Sequence, residues 1–347
     1  MRHVTLRPLG VLARPGSRTL LLLLTTRLGM RLLYDTAGQD PHLHLQSRLL
    51  ETKKRRFHSS MSSTASEDYF RGRVAIITGS TSGIGRATAV MLAGRDCRVT
   101  LVGHPSPVAE GDSLEAARAD LFKVGATEES VHGIMVDLVS DEDGPRRIVE
   151  ETVSKFGGVD VVVNCAGFAA LDWTCPNIET KVELLDTMMA IHCKAVVRLV
   201  QAALPHLEKS RGSIVNTSST LALPFANLHH IYYSTAKAAQ DHLTIQMAGN
   251  LIQKGIRTNA VQPSIVMSNF VANSKIVLND EKVQALFSTK DALPNGSLLL
   301  PEQVAKIIVF LADKTQSEPL NGVLLPVDYG SRFMNPLIRI DLFADGK

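Results

Sequence analysis

A glycine-rich turn set between an apolar run and a helical stretch constrains this chain more than any other feature. Val74-Ala75-Ile76-Ile77 leads into Thr78–Gly85, read TGSTSGIG, and then into Arg86-Ala87-Thr88-Ala89-Val90-Met91-Leu92-Ala93. A β-rich strand passing through such a turn into a helix builds a cradle for a diphosphate. Gly79 permits the tight turn, Gly83 lets backbone approach the phosphates, and Gly85 lets helix and strand pack closely. The N–H groups at the helix start, around Ser82, Gly83 and Ile84, favour negative charge. The spacing is GxxxGxG rather than GxGxxG. An isolated triplet of this kind could be a structural turn, but the strand before it and the helix after it argue for the cradle.

From Arg73 onward, strand-like and helix-like stretches alternate, the pattern of a doubly wound parallel sheet, the Rossmann-type α/β fold. Strands are expected at Arg73–Thr78, Arg98–Val102, Gly133–Asp137, Asp160–Asn164, Ser213–Thr217, Arg257–Gln262 and Val323–Pro326. Helical patterns fall between them, notably Val182–Leu207 and Tyr233–Gln253. No repeat or internal linker interrupts residues 73–332, which read as one domain followed by a tail, 333–347.

The first 58 residues have a different character. No acidic residue occurs before Tyr34, while Arg2, Arg7, Arg14, Arg18, Arg27 and Arg31 recur among leucines and hydroxyl residues. That composition is expected of an unfolded mitochondrial transit peptide directing the chain to the matrix, with residues 59–72 as a linker. A secretory signal and a cytosolic form starting at Met61 are the alternatives. The apolar run Leu20–Leu24 is far shorter than the ~20 residues of a membrane span. A net charge of +3 implies no nucleic-acid surface. The cysteines, at 97, 165, 175 and 193, form no CxxC pair and no metal-ligand spacing, so they read as buried or idle thiols and no metal is expected.

Tyr233-Ser234-Thr235-Ala236-Lys237 carries YxxxK inside an expected helix, where positions i and i+4 share a face. A free phenol titrates near ~10 and is a poor proton carrier at neutral pH; a close ammonium favours phenolate. The motif alone is weak, yet partners are present. Ser218 and Ser219 end one expected strand, and Asn164-Cys165-Ala166-Gly167 ends another. In an open parallel sheet ligands bind outside the carboxyl ends of the strands, so these groups converge on one crevice.

This combination resembles the short-chain dehydrogenase/reductase family from about Arg73 to Gly330. The resemblance rests on TGSTSGIG at 78–85, Asp137 after a strand, NCAG at 164–167, Ser219, Tyr233 with Lys237, Asn259-Ala260-Val261-Gln262-Pro263, and Asp328-Tyr329-Gly330. It implies Tyr233 as general acid/base, Lys237 lowering its pKa and binding the nicotinamide ribose, and Ser219 bonding the substrate oxygen. It also implies cofactor contacts from Gly79, Ser82, Gly83, Ile84, Gly85, Asn164, Ala166, Gly167, Pro263 and Ile265, with Asp137 at the adenine edge. Plainer readings stand beside these roles: Asp137 as a cap for the next helix, Asn164 as a brace between strands, and Ser218 as the acting hydroxyl. Tyr232 is a decoy, because Ala236 lies four residues on.

The chain departs from the family pattern in three places. His192 stands where the family has an asparagine that helps hold a proton-relaying water, and a histidine there either preserves a relay in altered form or simply packs. Ser264 replaces the glycine of Pro-Gly, and Ser268 takes the place of a threonine. At the end of the second strand, Gly103 occupies the position of an acid in NAD-preferring relatives, and His104 that of an arginine in many NADP-preferring ones. NADP is therefore expected over NAD, and Gly103→Asp is expected to shift the preference toward NAD.

The expectation is an NAD(P)-dependent oxidoreductase interconverting a carbonyl and a secondary alcohol. The alternatives are a cofactor-binding sensor or scaffold with weak turnover and, more distantly, a racemase or epimerase. Apolar Phe270, Val271, Ile276, Val277, Leu278, Val283, Leu286 and Phe287 fall in the variable segment from Met267 to about Leu299. They fit either a lipophilic substrate or an amphipathic lid helix packed on the core. By the resemblance, the two long helices would join subunits into a homodimer or homotetramer.

Overall fold

The computed structural model describes residues 68–106, 111–169, 178–224, 231–268 and 298–333. The expected presequence, the apolar segment Phe270–Phe287 and the tail beyond Phe333 lie outside the described residues. Seven parallel strands form one sheet: β1 (Val74–Thr78), β2 (Arg98–Gly103), β3 (Val131–Met135), β4 (Val161–Asn164), β5 (Ser213–Thr217), β6 (Arg257–Pro263) and β7 (Leu324–Val327). Their order is β3-β2-β1-β4-β5-β6-β7. The order reverses between β1 and β4, where Thr78 lies opposite Asn164, and the crevice of a doubly wound sheet opens at that point.

Among the described residues the helices are α1 (Gly83–Ala93), α2 (Leu114–Lys123), α3 (Gly144–Phe156), α4 (Glu183–Met189), α5 (Ala195–Ser210), α6 (Ile231–Leu251), α7 (Pro301–Ala312) and the short α8 (Lys314–Ser317). They cover both sheet faces, which is why β1, β4, β5 and β6 are buried along their whole lengths. Alternation along β1 sends Ile77 into one core layer with Leu92, Leu101, Leu121 and Ile308. Ile76 goes into the other, with Ile148, Leu199, Leu207 and Ala236.

Two differences from the local pattern have physical causes. β3 lies two residues earlier than its sequence pattern places it, because pairing with β2 sets its register, Val99 opposite Val131 and Gly103 opposite Met135. The expected long helix from Val182 is divided: between α4 and α5 runs a π-helical turn, Ala190–Lys194, with His192 at its centre. Such turns widen a helix locally and recur at functional sites. By length and composition Glu183–Ser210 could cross a membrane, but half of its apolar window is buried inside the fold. Ahead of β1, Phe70 is fully buried, with the Arg95 guanidinium 4.5 Å from its ring centre, so the end of the stretch read as linker packs on the core.

Candidate active site

The turn after β1 is built around glycine. Gly79 has φ +66°, and a Cβ there would come 2.8 Å from Ala166 Cα. A Cβ on Gly85 would meet the Gly79 carbonyl oxygen at 2.3 Å, so strand and helix approach only because both positions lack one. Gly83, φ +50°, faces Ser268, whose Cβ would be 3.2 Å from an added one. Ser82 caps α1 in an extended conformation without a side-chain bond, and the first turn of α1 carries no acidic side chain. Its N–H groups are thus left for an anion. The other polar residues of the motif hold the turn in place. Thr78 Oγ1 accepts from the Cys165 and Ala166 N–H groups at 3.1 Å, and Ser80 Oγ accepts from Val102 N at 2.8 Å. Ile84 packs against the core beneath. These residues fit a dinucleotide diphosphate.

Across the crevice, Ser219 caps a 3-10 turn, Thr220–Ala222, its Oγ accepting from Leu221 N at 3.1 Å. Its hydroxyl is also a hydrogen-bond partner of the Tyr233 phenol. Ser218 turns away: its Oγ lies 3.4 Å from the Lys237 carbonyl oxygen on α6, and its N–H donates to Val261 O. The Tyr232 hydroxyl donates to Thr180 O at 2.8 Å, outside this cluster.

Burial pushes the Tyr233 phenol well above the usual tyrosine range, opposed by the Ser219 hydrogen bond. The expected depression of that pKa by Lys237 is not built into this arrangement, because the ammonium is held elsewhere. Lys237 Nζ donates to Thr217 O at 2.7 Å and to Gln240 Oε1 at 3.1 Å, and sits 5.7 Å from the Tyr233 ring centre. Burial lowers the Lys237 pKa to about 8.

His192 is fully buried in the π turn, edge-on to Tyr233 with ring centres 5.3 Å apart. Its Nε2 lies 3.0 Å from Phe168 O, and its buried Nδ1 has no hydrogen-bond partner. Burial, then the Lys237 charge, hold its pKa well below 6.5, so the ring is neutral. A carbonyl oxygen accepts only, which places the proton on Nε2 and the lone pair on Nδ1.

At the far end of the crevice, Asp137 follows β3 and accepts from Val139 N at 2.9 Å and from Ser140 Oγ at 2.5 Å. It therefore caps a turn. Asp137 Oδ1 also stands 3.8 Å from His104 Nε2. A Cβ on Gly103 would lie 2.6 Å from Thr81 Cγ2 and 2.8 Å from Met135 Sδ, so the place expected to suit an acid is already filled. Asn164 directs its amide nitrogen to Asn216 Oδ1 at 2.8 Å, and Asn216 passes the chain on to Thr244 Oγ1 at 2.8 Å, bracing β4, β5 and α6. Pro263 closes β6 opposite Val327, and the Ile265 carbonyl accepts from Leu299 N at 3.2 Å. Gly167 packs against His192.

Sequence reasoning missed the groups behind Lys237. Gln240 is nearly fully buried, and Asp241 beside it accepts from Gln262 Nε2 at 2.6 Å. The available signal was two polar residues on the buried face of the YxxxK helix, one turn after the lysine. Among the described residues no cluster of His, Cys, Asp or Glu is set to hold a metal ion.

The family model for short chain dehydrogenase matches residues 73–276. The 3-oxoacyl-acyl-carrier-protein reductase of Thermotoga maritima is 30% identical over 260 residues, 75% of this chain and 97% of that protein. The L-xylulose reductase of Mesocricetus auratus is 31% identical over 261 residues, 75% of this chain and 96% of that one. A Caenorhabditis elegans short-chain dehydrogenase/reductase of unknown function, solved with cofactor, superposes with a TM-score of 0.72 at 34% identity, covering 77% of this chain and 98% of that one. With the sheet order and crevice described above, they establish that the chain belongs to the short-chain dehydrogenase/reductase family and is an NAD(P)-dependent oxidoreductase of carbonyl and alcohol groups.

Proposed function

We propose that the enzyme reduces a ketone or aldehyde, and oxidises the matching secondary alcohol, with Tyr233 as general acid/base and Ser219 bonding the substrate oxygen. The observation that carries this is the pairing of the Ser219 hydroxyl with the Tyr233 phenol beside the glycine cradle. A bound nicotinamide supplies or accepts the hydride. In reduction, negative charge develops on the carbonyl oxygen; Ser219 donates to it and Tyr233 transfers its proton. A phenol kept protonated by burial is ready for that direction. Lys237, with two of its three donors already engaged, retains one for the cofactor ribose.

NADP is the proposed cofactor. The half-exposed His104 imidazole stands at the end of β2, and Gly103 offers no carboxylate to repel a 2′-phosphate. Exposed Ile265 and Met267 beside β6 support a partly lipophilic substrate. Exposed Ile245 and Ile252 along α6 and the turn after it support self-association through that helix. The arginine-rich, acid-poor N-terminus supports import into the mitochondrial matrix.

The test is NADPH and NADH consumption against ketones, aldehydes and 3-oxoacyl thioesters, with Tyr233→Phe as control. Turnover lost in the variant, with cofactor binding retained, is expected. Undiminished turnover in Tyr233→Phe would remove the proposal.

A further inference from the structure

We propose that Gln240 and Asp241 are positioning residues that hold the Lys237 ammonium and set its proton affinity, fixing the alkaline limit of the site. The proposal deepens the reading of Tyr233 and Lys237 above and rests on it. Lys237 is only 4% exposed, and a buried ammonium is stable only with acceptors around it. The backbone supplies one, Thr217 O at the end of β5. The second comes from a side chain, Gln240 Oε1, one turn along the same helix. Because an ammonium donates and never accepts, the Gln240 amide oxygen must face it.

Asp241 lies in the next position, on the helix face shared by i and i+4. It is 6% exposed; Oδ2 accepts from Gln262 Nε2 at 2.6 Å, and Ser218 is a further hydrogen-bond partner of the carboxylate. The ionisable groups facing Lys237 come from several elements. His192 and Cys193 lie in the π turn, Cys165 follows β4, and Tyr233 and Asp241 are on α6 itself. The imidazole is neutral, and burial raises both thiols to about 11. The phenol is protonated as well, so the charge able to offset the ammonium is that of the Asp241 carboxylate, whose pKa burial raises against the Ser218 and Gln262 hydrogen bonds and the Lys237 charge. Gln240 thus supplies the dipole and Asp241 the charge that together oppose desolvation.

Each variant carries its own sign. Gln240→Glu adds negative charge and raises the midpoint of Lys237. Gln240→Met removes the acceptor at nearly constant volume, and Asp241→Asn removes charge while keeping an acceptor for Gln262; both lower it. The experiment is a pH titration of the Lys237 Cε signal in 13C-lysine-labelled protein, assigned by its absence in Lys237→Met. It is paired with the pH dependence of NADPH binding by fluorescence.

The expected result is an upward shift of about one unit for Gln240→Glu and downward shifts of similar size for the other two, tracked by NADPH binding. Cooperative thermal melting of each variant shows that it is folded. Unmoved midpoints in folded variants, while Lys237→Met abolishes turnover, would overturn this proposal alone. Full turnover in Lys237→Met would instead overturn the reading of the site on which it rests.

Discussion

His192 and Gly167 share one volume. A Cβ at Gly167 would lie 2.5 Å from His192 Cε1 and 3.1 Å from Nδ1, so the imidazole edge rests where any larger residue would place its side chain. Its other nitrogen is committed to Phe168 O. A relay through the ring would need a proton to enter at one nitrogen and leave from the other, and a backbone carbonyl cannot take it onward. The histidine therefore fastens the loop after β4 to the π turn beside Tyr233, and it is not a through-ring proton path.

A neutral buried imidazole makes stability depend on acid. Its folded-state pKa lies well below 6.5, whereas the unfolded chain titrates near 6.5. Below that pH the unfolded chain binds a proton that the folded chain refuses, so stability falls as pH falls. The slope contributed is about 1.4 kcal/mol per unit. Urea melts at pH 7.5 and 5.5 should show a smaller loss in His192→Asn than in the parent. Equal losses would mean that the ring is charged in the fold.

Gly167→Ala is expected to displace the imidazole and break its bond to Phe168, lowering stability by about 1–3 kcal/mol as overpacking does. The two sites should couple. In a His192→Ala background the same change should cost much less, and additive losses would show that the methyl group clashes elsewhere.

The body of the fold was legible because β1, β2 and β4 are short apolar-rich runs that turn signals delimit, and the crevice was readable from TGSTSGIG and YxxxK. What escaped was set by partners distant in sequence. β3 takes its register from β2, and the π turn at Ala190–Lys194 leaves no mark in a helical apolar pattern. The direction of the Lys237 ammonium depends on Gln240 and on a carbonyl twenty residues earlier, neither of which the spacing of Tyr233 and Lys237 encodes. Gly103 is the instructive case. A glycine there reads as an open place for an acid, yet Thr81 and Met135 already occupy it.

Cofactor preference can be tested with that crowding in mind. Gly103→Asp alone is expected to lower the melting temperature, because Thr81 must move; with Thr81→Ala to make room, the carboxylate should favour NADH over NADPH. His104→Ala should weaken NADPH binding roughly threefold to tenfold, as befits one half-exposed hydrogen-bonding contact, and leave NADH binding nearly unchanged. Equal weakening of both would place the 2′-phosphate away from His104.

The thiols near the site bear on the alternative of a redox sensor. Cys165 packs its Sγ 2.8 Å from Thr217 Oγ1, and Cys193 lies in the π turn; burial pushes both to about 11. Cys97 is raised further still. Because the thiolate is the reacting form, a rise from the free value near ~8.5 to about 11 leaves a few-hundred-fold less of it at neutral pH. Native protein treated briefly with a maleimide at pH 7.5 should show these three cysteines unlabelled by peptide mass spectrometry, and fully labelled after unfolding in urea. Bound cofactor should change nothing at Cys97, which lies at the opposite end of the sheet strands from the crevice. Rapid labelling of Cys165 or Cys193 in the folded protein would show a nucleophilic thiol beside Lys237 and would restore the sensor reading.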